Sequence, residues 1–258
     1  MSITKPFYRT CRPFLDNGYS NSGLSGYITH LSFAKSPAHF IQAFLLIQKD
    51  VLSLFDYIEP ADKNLTCYSF RIHELLLRVC VEVEANFKAI LKENGYSKSN
   101  NLNMLDYSKV DQSHRLSSYQ VKIPRWMGGE NIITPFDSFL NLDDKEKSPK
   151  WYRSYNNVKH DRYENFEEAN FENLIHAVAG LVVLLSSQFH TTDFSPGPTL
   201  LSVSDGAVYD GMTSAIGGFF RIKFPDDFPM NERYSFSYED IRKWKEEGVC
   251  QFGQYKYK

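Results

Sequence analysis

The stretch TCYSFRIHELLLRVCVEVEANFKAILKENG, residues 66–95, decides the fold class. Ile72, Leu76, Val79, Val83, Phe87 and Ile90 recur at spacings of three and four, so they line one face of an α-helix. Leu75, Leu77 and Val81 widen that stripe. A face this broad predicts a helix at the centre of an antiparallel bundle, running from about residue 66 to 94, with Gly95 in the C-terminal capping position. Glu74, Arg78 and Glu82 are four apart, as are Glu84, Lys88 and Lys92, which predicts charge pairs along the helix surface.

Working outward, the spacing of Phe40, Phe44, Ile47, Val51, Leu54 and Ile58 predicts a second amphipathic helix that starts near Pro37 and ends before Pro60. Residues 151–162 and 167–190 read as two further helices, the last with Asn165 as cap and Glu168 as its reciprocal acid. Its apolar face is Leu174, Ala177, Val178, Leu181, Val182 and Leu185. Between them residues 102–110 suit a short helix. Tyr119, Val121 and Ile123 alternate as a half-buried strand, and Phe220, Ile222 and Phe224 do so again, so the two are candidates to pair. The segment YEDIRKWKEEG after Ser237 reads as a short helix stopped by Gly248. The expected organisation is mainly α: an irregular surface arm at 1–36, marked by NGYSNSGLSG; a helical bundle at 37–192; and a mixed β and irregular C-terminal appendage at 193–258.

Composition bounds the function. The 258 residues are 42% hydrophobic and 15% aromatic, ample for a packed core. A net charge of -2 gives no overall pull towards nucleic acid, so contact with RNA must be local. Cys11, Cys67, Cys80 and Cys250 are scattered without a CxxC pair, which fits a reducing cytoplasm, and Cys80 falls on an apolar stripe as a small buried hydrophobe. The start MSITKPFYRTCRPF lacks an apolar run behind its basic residues, and the longest apolar run, 177–185, is well below the roughly 20 residues of a membrane span. The expectation is a cytoplasmic chain without membrane attachment. His30, His39, His73, His114, His176 and His190 are too dispersed to predict a metal set, and no cofactor motif is present. The pair Gly217-Gly218 and the run DGAVYDG read as turns.

One segment gathers chemistry: WYRSYNNVKHDR, residues 151–162. Positions seven apart on a helix lie within about 20° of each other around the axis, so Arg153 and His160 share a face, with Asn156 and Asn157 between them. Trp151, Tyr155 and Val158 gather on the opposite, core-facing side. Arginine grips two phosphate oxygens at once, histidine takes or gives a proton near neutrality, and asparagine amides orient a hydroxyl or water. The RNA 2′-OH is itself a nucleophile, so a base and a cation suffice for cleavage. Lys147 and Lys150 add to a local basic patch. Lys159 and Arg162 fall on the other side, where pairing with Glu82 or Glu84 across the bundle would give structural support.

Arg153-Ser154-Tyr155-Asn156-Asn157-Val158-Lys159-His160, near the start of a final helical hairpin, resembles the motif of the HEPN superfamily, an Arg followed after four to six residues by His. The surroundings YNNVKHDR and the earlier CVEVEANFKAIL are similar to those of bacterial HEPN-like proteins, over roughly residues 37–190. Chance supplies roughly one such Arg–His pair in a chain of this composition, so it is the helical context that carries the resemblance. The resemblance implies a metal-independent endoribonuclease acting on RNA, with His160 as base or acid and Arg153 as phosphate ligand. It further implies a homodimer with paired motifs in one cleft, and a toxin or antiviral-defence role with an antitoxin or defence-system partner. Two other readings of the same residues stay open: a non-catalytic helical module binding a protein or nucleotide, and a face that merely caps and solubilises the hairpin.

Overall fold

A computed structural model describes residues 3–15, 26–98, 100–129, 132–144, 146–194, 211–249 and 251–258. Most of NGYSNSGLSG, most of DGAVYDG and Cys250 lie outside them. The described chain is mainly helical with one small antiparallel sheet. In order, the helices are α1 (Pro37–Phe55), α2 (Phe70–Glu93), α3 (Met104–Ser108), α4 (Asp111–His114), α5 (Lys150–His160), α6 (Arg162–Asn165), α7 (Phe171–Phe189) and α8 (Tyr238–Glu246). The strands are β1 (Gln120–Lys122), β2 (Ile132–Ile133), β3 (Thr213–Ser214) and β4 (Arg221–Lys223).

α2 forms where its apolar period lies, and its ends are chemically marked. The Ser69 hydroxyl accepts the Ile72 amide at the start. At the end Gly95 takes φ +73°, which lets the Tyr96 amide return to the Leu91 carbonyl at 2.9 Å and satisfy an otherwise orphaned acceptor. All six residues of the main stripe are fully buried, whereas Val81 is half exposed and lies outside the core. The second helical ridge reads differently from its spacing. Arg78 reaches across to Asp50 on α1, and Glu74 pairs with Arg71, because a carboxylate on the neighbouring helix lies closer than one on the next turn. Lys88 and Glu84 do pair, at 2.9 Å.

α7 packs along α2, with α1 and α5 on the flanks. It begins four residues later than its periodicity suggests. Asn170, not Asn165, accepts the capping amide, from Asn173, because residues 166–168 form a separate 3-10 turn. α1 and α7 each hold an apolar window long enough to cross a membrane, with mean hydropathy 1.2 and 1.3. In α7 that window is 89% buried inside the protein, so burial accounts for its composition; α1 buries one face, from Ile41 to Leu54.

The sheet has the order β2-β1-β4-β3, with Val121 opposite Ile222. The two alternating segments singled out in the sequence therefore do pair, and Ile216, Phe220, Ile222 and Tyr234 share one buried core with α2 and α7. The N-terminal arm, where described (residues 3–15 and 26–36), is irregular but not superficial. Its backbone bonds to that of residues 233–235 and 253, and Arg9, Arg12, Phe14, Tyr27 and Phe33 are buried. Five aromatic rings, Phe14, Tyr27, Tyr234, Phe236 and Phe33, make successive edge-on and tilted contacts there. Aromatic area supplies the burial that periodicity does not announce.

His114 sits beneath this arm. Its Nε2 donates to the Arg9 carbonyl at 2.9 Å and its Nδ1 meets the Ser113 hydroxyl at 2.6 Å, which suits the neutral ring. Burial, with the charge of Arg12, pulls its pKa down to about 3 against the support of the Arg9 carbonyl. The unfolded chain therefore binds a proton near pH 6.5 that the folded chain refuses, so stability falls as pH drops from 6.5 to about 3, at roughly 1.4 kcal/mol per pH unit from this group. A His114→Gln variant is expected to show a flatter loss in urea melts across that window; an unchanged slope would assign the acid sensitivity elsewhere.

Candidate functional site

α5 is short, 11 residues, and owes its position to aromatic anchors on one side. The Trp151 indole donates to the Pro135 carbonyl at 3.0 Å and packs edge-on against Phe136. Gly180 of α7 makes the close approach feasible: a Cβ there would lie 3.1 Å from Trp151 and 3.3 Å from Phe136. Gly180→Val is expected to cost about 1–3 kcal/mol through overpacking. Loss of the Trp151 signal in near-ultraviolet circular dichroism would report the displaced α5.

The inward residues Trp151, Tyr155 and Val158 are buried as their spacing requires. Arg153, Asn157 and His160 are exposed on the other side, with Asn156 at the margin. Among the described residues Arg153 forms no ion pair; one of its nitrogens donates to the Ser148 carbonyl at 2.8 Å. Lys150 contacts Glu172 at 2.7 Å, an exposed pair worth little in water, so its charge stays available to a ligand.

These groups border an open groove of about 450 Å³ along α5 and the start of α7. Lys150, Arg153, Asn156, Asn157, Asn170 and Asn173 line it, with Glu168 held by the Asn157 amide at 3.0 Å. A second depression of about 420 Å³, lined by Asp137, Ser148 and Glu146 among others, shares Lys150 and Arg153. Two cations, Lys150 and Arg153, thus border one concavity with Asn156, an arrangement suited to phosphate oxygens, while the Asn157 amide is engaged by Glu168 and the Asn173 amide by Ser154 and the Glu168 carbonyl. His160 lines neither depression. At seven residues along one helix it stands about 10 Å from Arg153 in the axial direction.

Ser154, which follows Arg153 in the motif, is buried and accepts the Asn173 amide at 3.1 Å. It ties α5 to α7 and does not face a ligand freely. Asn170 and Asn173 were missed as groove residues; their three-residue spacing just before the apolar run was the available capping signal.

The expected cross-bundle ion pairs take another form. Lys159 donates to the Tyr155 hydroxyl at 3.1 Å, and Tyr155 and Tyr152 both donate to Glu84, at 3.3 and 3.1 Å. The Tyr155 hydroxyl thus stands between the Lys159 and Glu84 charges, while Tyr152 reaches Glu84 separately. Burial acts against the Glu84 charge, but Lys88, the Tyr152 hydroxyl and Lys159 together hold its carboxyl below the usual range. Glu82 makes no ion pair with α5 among the described residues; burial raises its pKa, against the opposing influence of nearby His39 and Arg78. Arg162 lies over the Phe70 ring instead, 5.7 Å from its centre.

His176 lines a separate small cavity of about 130 Å³ with Trp126, Ile133 and Ile175. Among the described residues no group of three or more His, Cys, Asp or Glu side chains is placed to hold a metal ion. No protein-family model, curated protein or solved structure matches the chain.

Proposed function

We propose that the chain is a HEPN-type endoribonuclease acting in the cytoplasm as a homodimer, with α1, α2, α5 and α7 as an antiparallel HEPN-like bundle and the exposed face of α5 as its active surface. One observation carries the reading: Arg153, free of any acidic partner among the described residues, sits with Lys150 and a set of asparagine amides around one open groove, on the helix that also presents exposed His160. In this scheme Arg153 and Lys150 bind the scissile phosphate, and Asn156 and Asn157 orient the ribose. His160 removes the 2′-OH proton; the 2′-oxygen bonds to phosphorus, the 5′-oxygen leaves and is protonated, and the product ends in a 2′,3′-cyclic phosphate. The 10 Å along the axis is closed by pairing two α5 helices about a two-fold axis, so that His160 of one chain serves the groove of the other. The biological setting that goes with this reading is a toxin or antiviral-defence effector restrained by an antitoxin or defence-system partner.

Incubating the purified chain with single-stranded RNA in the presence of a chelator tests the reading. It expects cyclic-phosphate ends that disappear in both Arg153→Ala and His160→Ala. The position of His160 outside the groove favours a second reading, a phosphate or nucleotide-binding module without catalysis. That reading expects saturable binding, lost in Arg153→Ala, and no products.

A further inference from the structure

At the C-terminal end of α5, beyond His160, an aromatic cluster reaches the surface. Phe166 begins the 3-10 turn after α6, and three rings surround it: Phe70 at 4.8 Å between centres, Tyr68 at 5.7 Å and His73 at 5.8 Å. Phe70 is 67% exposed and Tyr68 48%, a high figure for side chains with this much apolar area. The Arg162 guanidinium lies over the outer ring, Phe70. Below, His73 Nε2 is buried and has no hydrogen-bond partner among the described residues. A buried polar atom without a partner calls for an explanation, and a ligand edge is one. Burial and the charge of Arg162 lower the His73 pKa, which favours the neutral ring.

This cluster is joined to the groove by backbone. Tyr68 pairs with Asn170, a groove residue, in an isolated antiparallel bridge. Two residues on from Phe166, Glu168 receives the Asn157 amide. Phosphate-binding groups and flat rings therefore border a single short segment, 166–170.

We propose that Phe70, Phe166 and Arg162 form a stacking platform for an unpaired nucleobase of single-stranded RNA whose phosphate lies in the Arg153 groove, with His73 Nε2 offering a partner to the base edge. This rests on the phosphate-binding reading of that groove. Aromatic faces and a guanidinium plane stack on any base without sequence demand, which suits a strand with its bases splayed out. A protein partner needs about 1,000 Å² of complementary surface, whereas a few rings beside an arginine match the size of one or two bases. Exposed Glu164 and Glu167 on the same segment oppose a long phosphate track, so the site takes a short unpaired stretch and not a duplex.

Fluorescence anisotropy tests this with a labelled 12-nucleotide oligouridylate and an abasic ribose-phosphate oligomer of the same length. The protein is the full chain carrying His160→Ala, so that the probe stays intact. Phe70→Ala is expected to weaken oligouridylate binding about tenfold, with its salt dependence unchanged and with abasic binding unaffected. Arg153→Ala should weaken both probes and reduce the salt slope. If Phe70→Ala binds oligouridylate like its parent while Arg153→Ala does not, the platform is refuted and the groove stands. If only Phe70→Ala has an effect, the groove reading fails and the RNA strand cannot be placed as proposed. Conversion of a dimer to a monomer by Phe70→Ala, seen by size-exclusion chromatography, would reassign the rings to an interface between copies and overturn the proposal. Absence of any RNA binding by the parent overturns it as well.

Discussion

On the proposed ribonuclease reading, His160→Ala is expected to lower RNA cleavage by about 10²–10⁴-fold, the span of one general base, while leaving RNA binding within a few fold of the parent. The side chain is exposed at the last position of α5 and makes no hydrogen bond or ion pair among the described residues, so its removal is expected to disturb packing little. A merely structural role for it would move neither number. On the same reading Arg153→Ala is expected to reduce both binding and turnover, since the guanidinium would act on the bound phosphate and on the charge that develops during attack. The geometry adds a sharper test. If His160 of one chain serves the groove of its partner, mixing the two inactive variants restores cleavage. Random pairing makes half the dimers mixed, each with one whole site of two, so about a quarter of the wild-type rate is expected. No recovery on mixing, with both variants dimeric, would place the site within one chain.

Glu93→Ala is expected to destabilise the protein by about 3–5 kcal/mol, because it leaves a buried guanidinium without its counter-charge. Arg9 is 0% exposed; its Nε contacts Glu93 at 2.7 Å, and its other nitrogens donate to Gln188 and to the Lys35 carbonyl. Glu93 also accepts the Lys35 amide, so one carboxylate joins the N-terminal arm, the approach to α1 and the end of α2. Burial pulls the Arg9 pKa below its ordinary value, partly offset by Glu93, the sign of a charge that depends on its partner. For a chain of this length the loss corresponds to a fall in Tm of about 6–20 °C. Replacing both partners, as Arg9→Met with Glu93→Leu, should recover much of it, since no charge then remains to be solvated. A Tm for Glu93→Ala within about 2 °C of wild type would show that the arm is not clamped by this pair.

Helix existence was legible along the chain because it depends on neighbours three and four residues apart. Ile72 through Ile90, Phe44 through Leu54 and Leu174 through Leu185 announced their buried faces, and Trp151, Tyr155 and Val158 fell inward as their spacing required. Alternation at Val121 and Ile222 suggested the pairing that the sheet contains. Helix starts were harder. Asn165 and Asn170 both stand before α7 with an acceptor side chain, and only the intervening 3-10 turn selects Asn170.

The sequence by itself determined which residues of α5 face outward, and so that Arg153, Asn156, Asn157 and His160 share one side with the apolar anchors opposite. That follows from helix geometry alone. The tertiary structure decided what each of them meets. It set Lys150, Asn170 and Asn173 beside Arg153, left His160 outside that groove, and put Tyr155 between Lys159 and Glu84. It also drew the described parts of the N-terminal arm, residues 3–15 and 26–36, into the core, where Arg9 meets Glu93 across 84 residues of chain. Periodicity is a property of one segment, whereas such partners are chosen by packing between segments whose contact has no repeating signature in sequence.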